Sequence, residues 1–422
     1  MIVTRVEKHI LHKNNKYFKL LDNLCFVSKN LYNQANYVIR QEFCKEIKEG
    51  ENRNYISYNK LDKIMQNLIN ENNEVNYKIL PSQTSQQILR LLDKNWKSFF
   101  KSIKDWKKNS LKYSGKPKLP KYKDKNGRYV LIFTGQNQCK LKDGYIHFPK
   151  KLKGFTLKTK VDNVQQVRMI SSKDHIIIEV IYKVMTKEMK PDNKRYLSID
   201  IGINNFVTMS TNLNLNPIII NGKGLKSMNK YWNKQNAHYQ EILKRMNNKH
   251  SSNRLRKLNF KRNNKMNDFM HKVSRFIINY SLENQINTIV LGYNNDFQRN
   301  SNLGKVNNQT FTQIPFTNFI QKLEYKCENE GINFIITEES YTSKASFLDN
   351  DKIPKYNKDD KQYHQFSGKR IKRGLYQTKD RKLLNADINA SLNILKKVFK
   401  NAYENKLFDI GFMVNPIKVN II

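Results

Sequence analysis

The sequence predicts a mixed α/β protein: a small β-barrel with inserted helices, followed after residue 190 by a larger region of strands and helices. Residues 196–220 contain three short apolar runs separated by turn residues, which predicts an antiparallel meander. Two further apolar runs, at 287–294 and 332–340, flank a helical pattern and predict buried parallel strands. Short strands with turn signals between residues 129 and 184 predict the barrel.

Two aspartates lie at the ends of predicted elements, one near the end of a strand and one at the start of a helix. The segment YLSIDIGINNFVT (196–208) puts Asp200 near the end of the first meander strand, and LLNADINASLNIL (383–395) puts Asp387 at the start of a helix. Either residue alone is typical of a turn or of a helix N-terminus. Their order is more specific, because a meander, two further strands separated by a helix, and a final helix opening with Asp form the pattern of an RNase H-like nuclease. In that fold, carboxylates hold two divalent metal ions about 3.5 to 4 Å apart.

The composition indicates a polyanionic partner. The 422 residues include 77 Lys and Arg against 36 Asp and Glu, a net charge of +41. No apolar run approaches the roughly 18 residues of a membrane-spanning helix. Since the first residues also lack the pattern of a signal peptide, we expect a cytoplasmic protein without a membrane partner.

The cysteines are scattered along the chain and include no CxxC pair. They are Cys25, Cys44, Cys139 and Cys327. The spacing indicates neither a disulfide framework nor a cysteine zinc site.

The N-terminal part is predicted to contain a strand and then long helices. Apolar residues from Phe18 to Leu31 recur at helical spacing. A second helix, from Ser82, carries a broad apolar stripe around Trp96, and its regular period favours packing in a core over base stacking. The segment GKPKLPKYKDK (115–125) cannot continue a helix, so it is either a solvated linker or a rigid array of phosphate-binding lysines.

A second basic segment lies at residues 344–382, where aromatic residues alternate with lysines and arginines. Its aromatic residues include Tyr356, Tyr363, Phe366 and Tyr376. The segment is either a disordered insertion or an element that binds nucleic acid through charge and stacking. The basic residues predicted to contact nucleic acid are Lys116, Lys118, Lys121, Lys123, Lys150, Lys151, Lys369, Arg370, Lys372 and Arg373.

Four segments resemble one family. IDIGINNF, GYNNDFQ, TEESYTSKAS and NADINASLNIL are similar to the split RuvC nuclease of the TnpB family, transposon-encoded RNA-guided nucleases related to compact type V CRISPR effectors. Residues 81–125 and 146–154 also resemble the N-terminal half of that family. The fold that the resemblance implies is an OB-like wedge barrel with an inserted helical recognition domain, followed by an RNase H-like (RuvC) nuclease domain with helical insertions.

The resemblance also implies domain boundaries. The expected parts are a first wedge strand (1–15), a helical recognition domain (16–125), the wedge β-barrel (126–190), RuvC-like first and second motifs (191–343), a basic target-nucleic-acid-binding insertion (344–382), and a third motif with the C-terminal tail (383–422). Many relatives carry a zinc element of four cysteines in that insertion. None stands there in this chain, so we expect no zinc.

The implied activity is that of a metal-dependent, RNA-guided DNA endonuclease. The resemblance also implies a prokaryotic protein that associates with the nucleoid. It would cleave double-stranded DNA beside a short adjacent motif, with a guide RNA from the transposon end and two Mg²⁺ ions. Two alternatives stay open: a nuclease-dead RNA-guided repressor and a guide-independent transposase accessory protein.

One catalytic carboxylate of the family is missing. Relatives usually end the strand of the second motif with Glu, whereas TIVLGYN places Gly292 there. Either the enzyme is dead or another acid has moved in. Glu338 is the first choice because it follows the next apolar run most closely, and adjacent strands lie about 4.8 Å apart, a gap that Glu can span. Glu339, on the opposite face, is the alternative, Asp296 is a weaker candidate, and the two glutamates can also simply begin a turn.

Overall fold

The computed structural model describes residues 1–46, 53–172, 174–246, 250–294, 304–356, 364–404, 411 and 415–421. The chain is a mixed α/β protein that divides into two compact units. One unit is Ile2–Val184, and the other is Met1 together with Met185–Ile422.

The first unit combines long helices with two sheets. Its elements are β1 (Ile2–His12), α1 (Phe18–Phe43), α2 (Tyr58–Met65), α3 (Asn76–Ile79), α4 (Ser82–Lys108), β2 (Leu131–Thr134), α5 (Gly135–Gln138), β3 (Lys140–Lys142), β4 (Tyr145–His147), β5 (Thr156–Lys158), β6 (Val164–Ser171) and β7 (His175–Met185). The predicted first strand and the two long helices are confirmed. The sequence pattern missed α2 and β6, which are short or carry polar residues between the apolar ones.

Helices α1 and α4 form the core of this unit. Leu31 of α1 and Leu92 and Trp96 of α4 are fully buried. The Trp96 indole N–H donates a hydrogen bond to Oδ1 of Asn36, 3.0 Å away, so its polar atom is satisfied inside the core. The expectation that the Trp96 stripe packs is confirmed.

The predicted closed β-barrel does not form within the described residues of this unit. The strands build a four-stranded sheet of order β1-β7-β6-β2 and a separate three-stranded sheet of order β3-β4-β5. Because β1 and β2 are the two outer strands and do not pair with each other, the larger sheet stays open.

The second unit is built on a six-stranded sheet. Its elements are β8 (Tyr196–Ile201), β9 (Asn205–Thr211), β10 (Ile218–Asn221), α6 (Lys223–Arg245), α7 (Asn253–Glu283), β11 (Thr288–Gly292), α8 (Lys305–Thr312), α9 (Phe316–Glu330), β12 (Asn333–Thr337), β13 (Lys369–Lys372), β14 (Leu375–Gln377), β15 (Leu383–Asn385), α10 (Ala386–Val398) and β16 (Ile417–Val419). In the described ranges of both units, no helix has the length and apolar character needed to cross a membrane.

The order of that sheet is β12-β11-β8-β9-β10-β16. β8, β9 and β10 are antiparallel neighbours, and β11 and β12 run parallel to β8. The predicted meander and the two predicted parallel strands are therefore confirmed.

Side chains of β8 alternate between the two faces of the sheet, and each face packs against different helices. Leu197 and Ile199 are buried in the apolar cluster that α7 and α9 complete. Tyr196, at the opposite parity, packs with residues of α10 and stacks on the ring of Phe399 with 4.0 Å between centroids. Asp200 shares the parity of Tyr196, so its side chain lies on the α10 face.

The described part of the basic segment 344–382 is folded. β13, β14 and β15 form a three-stranded antiparallel sheet. Tyr376 is fully buried, and its hydroxyl donates to the carbonyl of Lys344 at 2.8 Å. Tyr376 is thus a core residue rather than a stacking surface, and Tyr363 lies outside the described residues.

Candidate active site

Asp200 lies near the C-terminal end of β8, where charges from three distant parts of the chain act on it. Burial and the negative charges of Asp387 and Glu339 raise the pKa of Asp200 well above its ordinary value. The positive charge of Arg370 opposes this shift. Such mutual repulsion requires the acids to lie close together in a poorly hydrated place. Asp387 and Glu339 therefore lie near enough to Asp200 for their charges to act on it.

Asp387 lies in the first turn of α10, where its carboxylate is held by two donors. The side chain of Asn385 caps the helix, accepting hydrogen bonds from the backbone N–H groups of Asp387 at 2.9 Å and Ile388 at 3.2 Å. Oδ2 of Asp387 accepts a hydrogen bond from Nδ2 of Asn205 at 2.7 Å. Oδ1 forms an ion pair with Arg370, with 3.1 Å between the atoms.

Glu339 occupies the space beside Gly292. In the parallel pair of β11 and β12, Gly292 lies opposite Thr337, so these two residues share a face of the sheet. Glu339 is two residues further along and keeps that parity. A Cβ atom placed on Gly292 would lie 3.3 Å from the Cβ atom of Glu339.

The carboxylate of Glu339 is poorly solvated. Burial and the nearby charge of Glu338 raise the pKa of Glu339 to about 7, although the charge of Lys397 opposes the change. Its Oε2 atom is buried without a hydrogen-bond partner. The same is true of Oγ1 of Thr208, which lies directly opposite Asp200 on β9.

Glu338 has different surroundings. Its carboxylate forms an ion pair with Nζ of Lys397, and Oε1 accepts a hydrogen bond from the backbone N–H of Ser340 at 2.6 Å. Burial alone would raise the pKa of Glu338, but the hydrogen bonds from Lys397 and Ser340 outweigh it and lower that pKa. Of the two candidate glutamates, Glu339 is the one whose charge acts on Asp200, while Glu338 is bound to Lys397. Asp296 lies outside the described residues.

The donor set suits a hard divalent cation, although it is not drawn into a tight cluster. Among the described residues, no three His, Cys, Asp or Glu side chains stand close enough to hold one metal ion as placed. Asp387 is engaged by Arg370, which already supplies one positive charge. Two observations fit a cation: the repulsion that raises the pKa of Asp200, and the unpartnered oxygens of Glu339 and Thr208. Carboxylate oxygens are the ligands that Mg²⁺ prefers.

The basic residues predicted to bind nucleic acid differ in what they can reach. Nine of the ten are exposed, namely Lys116, Lys118, Lys121, Lys150, Lys151, Lys369, Arg370, Lys372 and Arg373, whereas Lys123 is half-buried. Nζ of Lys123 lies over the rings of Tyr32 and Tyr129, 4.7 and 4.6 Å from their centroids, and burial lowers the pKa of Lys123. Nζ of Lys151 donates to the carbonyls of Leu80, at 2.8 Å, and Lys78.

These contacts distinguish three of the residues predicted to bind nucleic acid from the others. Lys123 and Lys151 have internal partners, and Arg370 is paired with Asp387. A lysine whose ammonium group already contacts aromatic rings or carbonyls would have to give up those contacts to bind a phosphate.

The segment 115–125 is fastened to α1. Asn33 exchanges two hydrogen bonds with the backbone of Lys123, at 2.9 and 2.7 Å. Nδ2 of Asn36 and the guanidinium of Arg40 both donate to the carbonyl of Pro120, at 3.0 and 2.5 Å. The exposed lysines of this segment are therefore carried on a backbone held at several points, which a loose linker would lack.

Sequence reasoning missed three residues at the site. Asn205 is the first residue of β9 and donates a hydrogen bond to Asp387. Thr208 and Lys397 were not singled out. Pairing Asp200 with Thr208 in the meander was a signal available in advance, because residues opposite each other on antiparallel strands share a face. The contact of Lys397 with Glu338 spans 59 residues and had no local signal.

Comparisons with known proteins match two segments that contain the acids of the candidate site. Residues 179–298 match the family OrfB_IS605, "Probable transposase", and residues 316–394 match "Cas12f1-like, TNB domain". The first segment contains Asp200, and the second contains Glu338, Glu339 and Asp387.

Similar solved structures include a Cas12f1-sgRNA-target DNA complex, at 13% identity and a TM-score of 0.33, covering 92% of this chain and 98% of that one. The mini-RNA-guided endonuclease CRISPR-Cas_phi3 is similar at 10% identity and a TM-score of 0.42, covering 96% of this chain and 93% of that one. No curated protein matches the chain. Two segments of the chain are thus similar to the OrfB_IS605 transposases and to the TNB domain of Cas12f1-like proteins.

Proposed function

We propose that this protein is an RNA-guided DNA endonuclease encoded by a transposon, with an RNase H-like nuclease domain of the RuvC type. One observation carries the proposal. Asp200, Glu339 and Asp387 come from three separate segments, and Asp387 and Glu339 lie near enough to Asp200, beside the ends of β8 and β11, for their charges to act on it. The pKa values of Asp200 and Glu339 are raised, and neighbouring acids perturbed in this way are typical of an active site.

The order of the strands supports the fold assignment. A three-stranded meander lies beside two strands parallel to its first member, and a helix that begins next to Asp387 covers the face bearing Asp200. This is the arrangement expected of an RNase H-like domain.

Each acid has a proposed role. Asp200, Glu339 and Asp387 would hold two Mg²⁺ ions, which when bound supply an activated water and stabilise the leaving oxygen of a phosphodiester. Asn205 and the Asn385 cap orient the carboxylate of Asp387. Asp200 and Glu339 must give up the protons that their raised pKa values favour before they can bind a cation.

The net charge of +41 and the match to a TNB domain support nucleic-acid partners, proposed to be a guide RNA from the transposon end and double-stranded DNA. Lys116, Lys118, Lys121 and Lys150 would contact phosphates in the first unit. Lys369, Lys372 and Arg373 would do so on the sheet of β13, β14 and β15.

The proposed division of labour follows the domain boundaries expected from the sequence. Residues 16–125 would recognise the RNA and DNA duplex, 126–190 would act as the wedge, 191–343 and 383–422 would cleave, and 344–382 would guide the target strand. Sequence specificity would come from base pairing beside a short motif that the protein reads.

The test combines guided cleavage with binding. RNA that co-purifies with the full chain is sequenced and used to design a matching duplex. Asp200→Asn and Asp387→Asn should lose cleavage but keep guided binding, because they remove metal ligands and leave the basic surface intact. Asp268→Asn is the matched control, since Asp268 is exposed on α7 and pairs with Lys272.

Other outcomes favour the alternatives. Guided binding without cleavage by the unaltered protein would indicate an RNA-guided repressor. Binding of DNA with no discrete co-purifying RNA would indicate a guide-independent transposase accessory protein. Cleavage by Asp200→Asn at the unaltered rate would refute the proposed site.

A further inference from the structure

Helix α10 carries a row of polar side chains at every fourth position. Asn389, Asn393 and Lys397 lie on one side of the helix because residues four apart are neighbours on its surface. We call these three residues the polar ridge. Both asparagines are fully buried, and the side chain of Lys397 is 7% exposed. Polar groups buried in this way require partners.

The asparagines bind the backbone of the segment that follows β12. Oδ1 of Asn389 accepts a hydrogen bond from the N–H of Phe347 at 3.0 Å, and its Nδ2 donates to the carbonyl of Ala345 at 2.8 Å. Nδ2 of Asn393 donates to the carbonyls of Thr342, at 2.9 Å, and Ala345, at 2.8 Å. Helix α10 thus fixes the path of this segment by contacts with the backbone of the segment, which do not depend on the segment's side chains.

Lys397 extends the same contacts to the glutamates. Its ammonium group donates to the carbonyl of Ser340 at 3.1 Å and forms the ion pair with Glu338. Glu338 and Ser340 flank Glu339, so Lys397 fastens the chain on both sides of it. Glu339 itself lies beside Gly292 at the end of β11, and its Oε2 atom has no hydrogen-bond partner.

The contact of Glu338 with α10 lies far along the helix from Asp387. Asp387 lies in the first turn of α10 and Lys397 in the last, ten residues later, which is about 15 Å along the axis. The ion pair draws Glu338 toward the C-terminal half of the helix and away from Asp387. Glu338 is therefore the anchor of the segment, and its neighbour is available to the site.

We propose that the polar ridge, and Lys397 above all, is a positioning device that holds the Glu338–Ser340 segment so that Glu339 faces Asp200. This inference rests on the proposed function, because it assigns the ridge a role in presenting a metal ligand. Lys397 and Glu338 act through Glu339 and touch neither metal nor substrate. A partner that orients a ligand typically changes metal affinity by about 10- to 100-fold when it is removed.

The test measures metal binding on the full chain without requiring catalysis. Mn²⁺ is titrated into the protein and the unfolding temperature is measured at each concentration. An ion that binds only the folded state raises that temperature. The unaltered protein should respond and Asp200→Asn should not. Lys397→Met should need about tenfold more Mn²⁺ for half of the maximal rise. Lys397→Arg should recover most of the response, and Lys400→Met, which removes an exposed lysine three residues away, should match the unaltered protein.

Two outcomes overturn the inference in distinguishable ways. If the unaltered protein and Lys397→Met respond at the same Mn²⁺ concentration, the polar ridge does not position the ligand. The proposed metal site is then still supported. If the unaltered protein behaves like Asp200→Asn, the metal site fails and the inference fails with it. Should Lys397→Met not fold, Glu338→Gln decides: it leaves Lys397 in place, and it should also raise the Mn²⁺ requirement.

Discussion

The Cβ atom of Glu339 lies 3.3 Å from the position that a Cβ atom would take on Gly292. The space that a side chain of residue 292 would fill is thus bordered by an acid from the segment that follows β12. The side chain of Ile394 closes the same space, with its Cδ1 atom 2.5 Å from that position. A side chain at residue 292 would therefore require Ile394 to move and Glu339 to shift slightly.

Gly292→Ala should destabilise the protein. The added methyl group meets Ile394 at a distance that forces the side chain to move, and overpacking of this kind costs about 1 to 3 kcal/mol. Gly224→Ala is the control, because a Cβ atom there has nothing within 4 Å. The measurement is thermal unfolding of both variants. Equal unfolding temperatures for Gly292→Ala and the unaltered protein would contradict the close packing.

The two glutamates should give opposite pH dependences of stability. The pKa of Glu339 is raised to about 7, so the folded state holds a proton that the unfolded state releases, and stability falls as pH rises from about 5 to 8. The pKa of Glu338 is lowered, so its contribution is present at neutral pH and lost as pH falls through that lowered pKa.

Calorimetry of the metal-free protein across this pH range checks both signs. Glu339→Gln should flatten the loss of stability between pH about 5 and 8, whereas Glu338→Gln should lower stability at neutral pH and remove an acid-side loss. An unchanged profile for Glu339→Gln would show that its carboxyl titrates normally.

Much of this fold could be predicted because its signals are local. The apolar period of α1 and α4, the meander of β8 to β10 and the helix beginning beside Asp387 depend on residues close in sequence. That the four-stranded sheet of the first unit stays open could not be predicted in the same way. Which strands become edges depends on pairing between segments such as β1 and β7, which are more than 160 residues apart.

The site was only partly predictable for the same reason. Asp200 and Asp387 stand in recognisable motifs. The choice between Glu338 and Glu339 depends on the register that places Gly292 opposite Thr337, and on the ion pair with Lys397. Counting residues after the apolar run favoured Glu338. The period of two, applied from Thr337, points to Glu339.

Lysines of segment 115–125 should differ in their effect on salt-dependent binding. Lys121→Met removes an exposed charge, and the slope of log K against log salt should fall by about 0.7 to 0.9 if one phosphate contact is lost. Lys123→Met should leave the slope unchanged and lower the unfolding temperature, because Lys123 packs on Tyr32 and Tyr129. Equal changes of slope would show that Lys123 also reaches a phosphate.

Chelators should stop catalysis and leave the fold intact. The segment 344–382 has no cysteine, and its described part is held by a carboxylate instead: Asp351 accepts from the N–H of Ser346 at 2.7 Å and the hydroxyl of Ser367 at 2.6 Å. EDTA should therefore not change the unfolding temperature of protein to which no Mg²⁺ or Mn²⁺ has been added, whereas Asp351→Ala should lower it. Tightly bound stoichiometric zinc in elemental analysis would contradict this expectation.

The most direct test of the central claim compares Glu339→Gln with Glu338→Gln in guided DNA cleavage at saturating Mg²⁺. Glu339→Gln should lose cleavage, because a neutral amide cannot replace a carboxylate ligand of two metal ions. Glu338→Gln should cleave at close to the unaltered rate once metal is saturating, because its role is to hold the segment. Loss of cleavage in Glu338→Gln together with full activity in Glu339→Gln would contradict the account, and full activity in both would direct the search to Asp296.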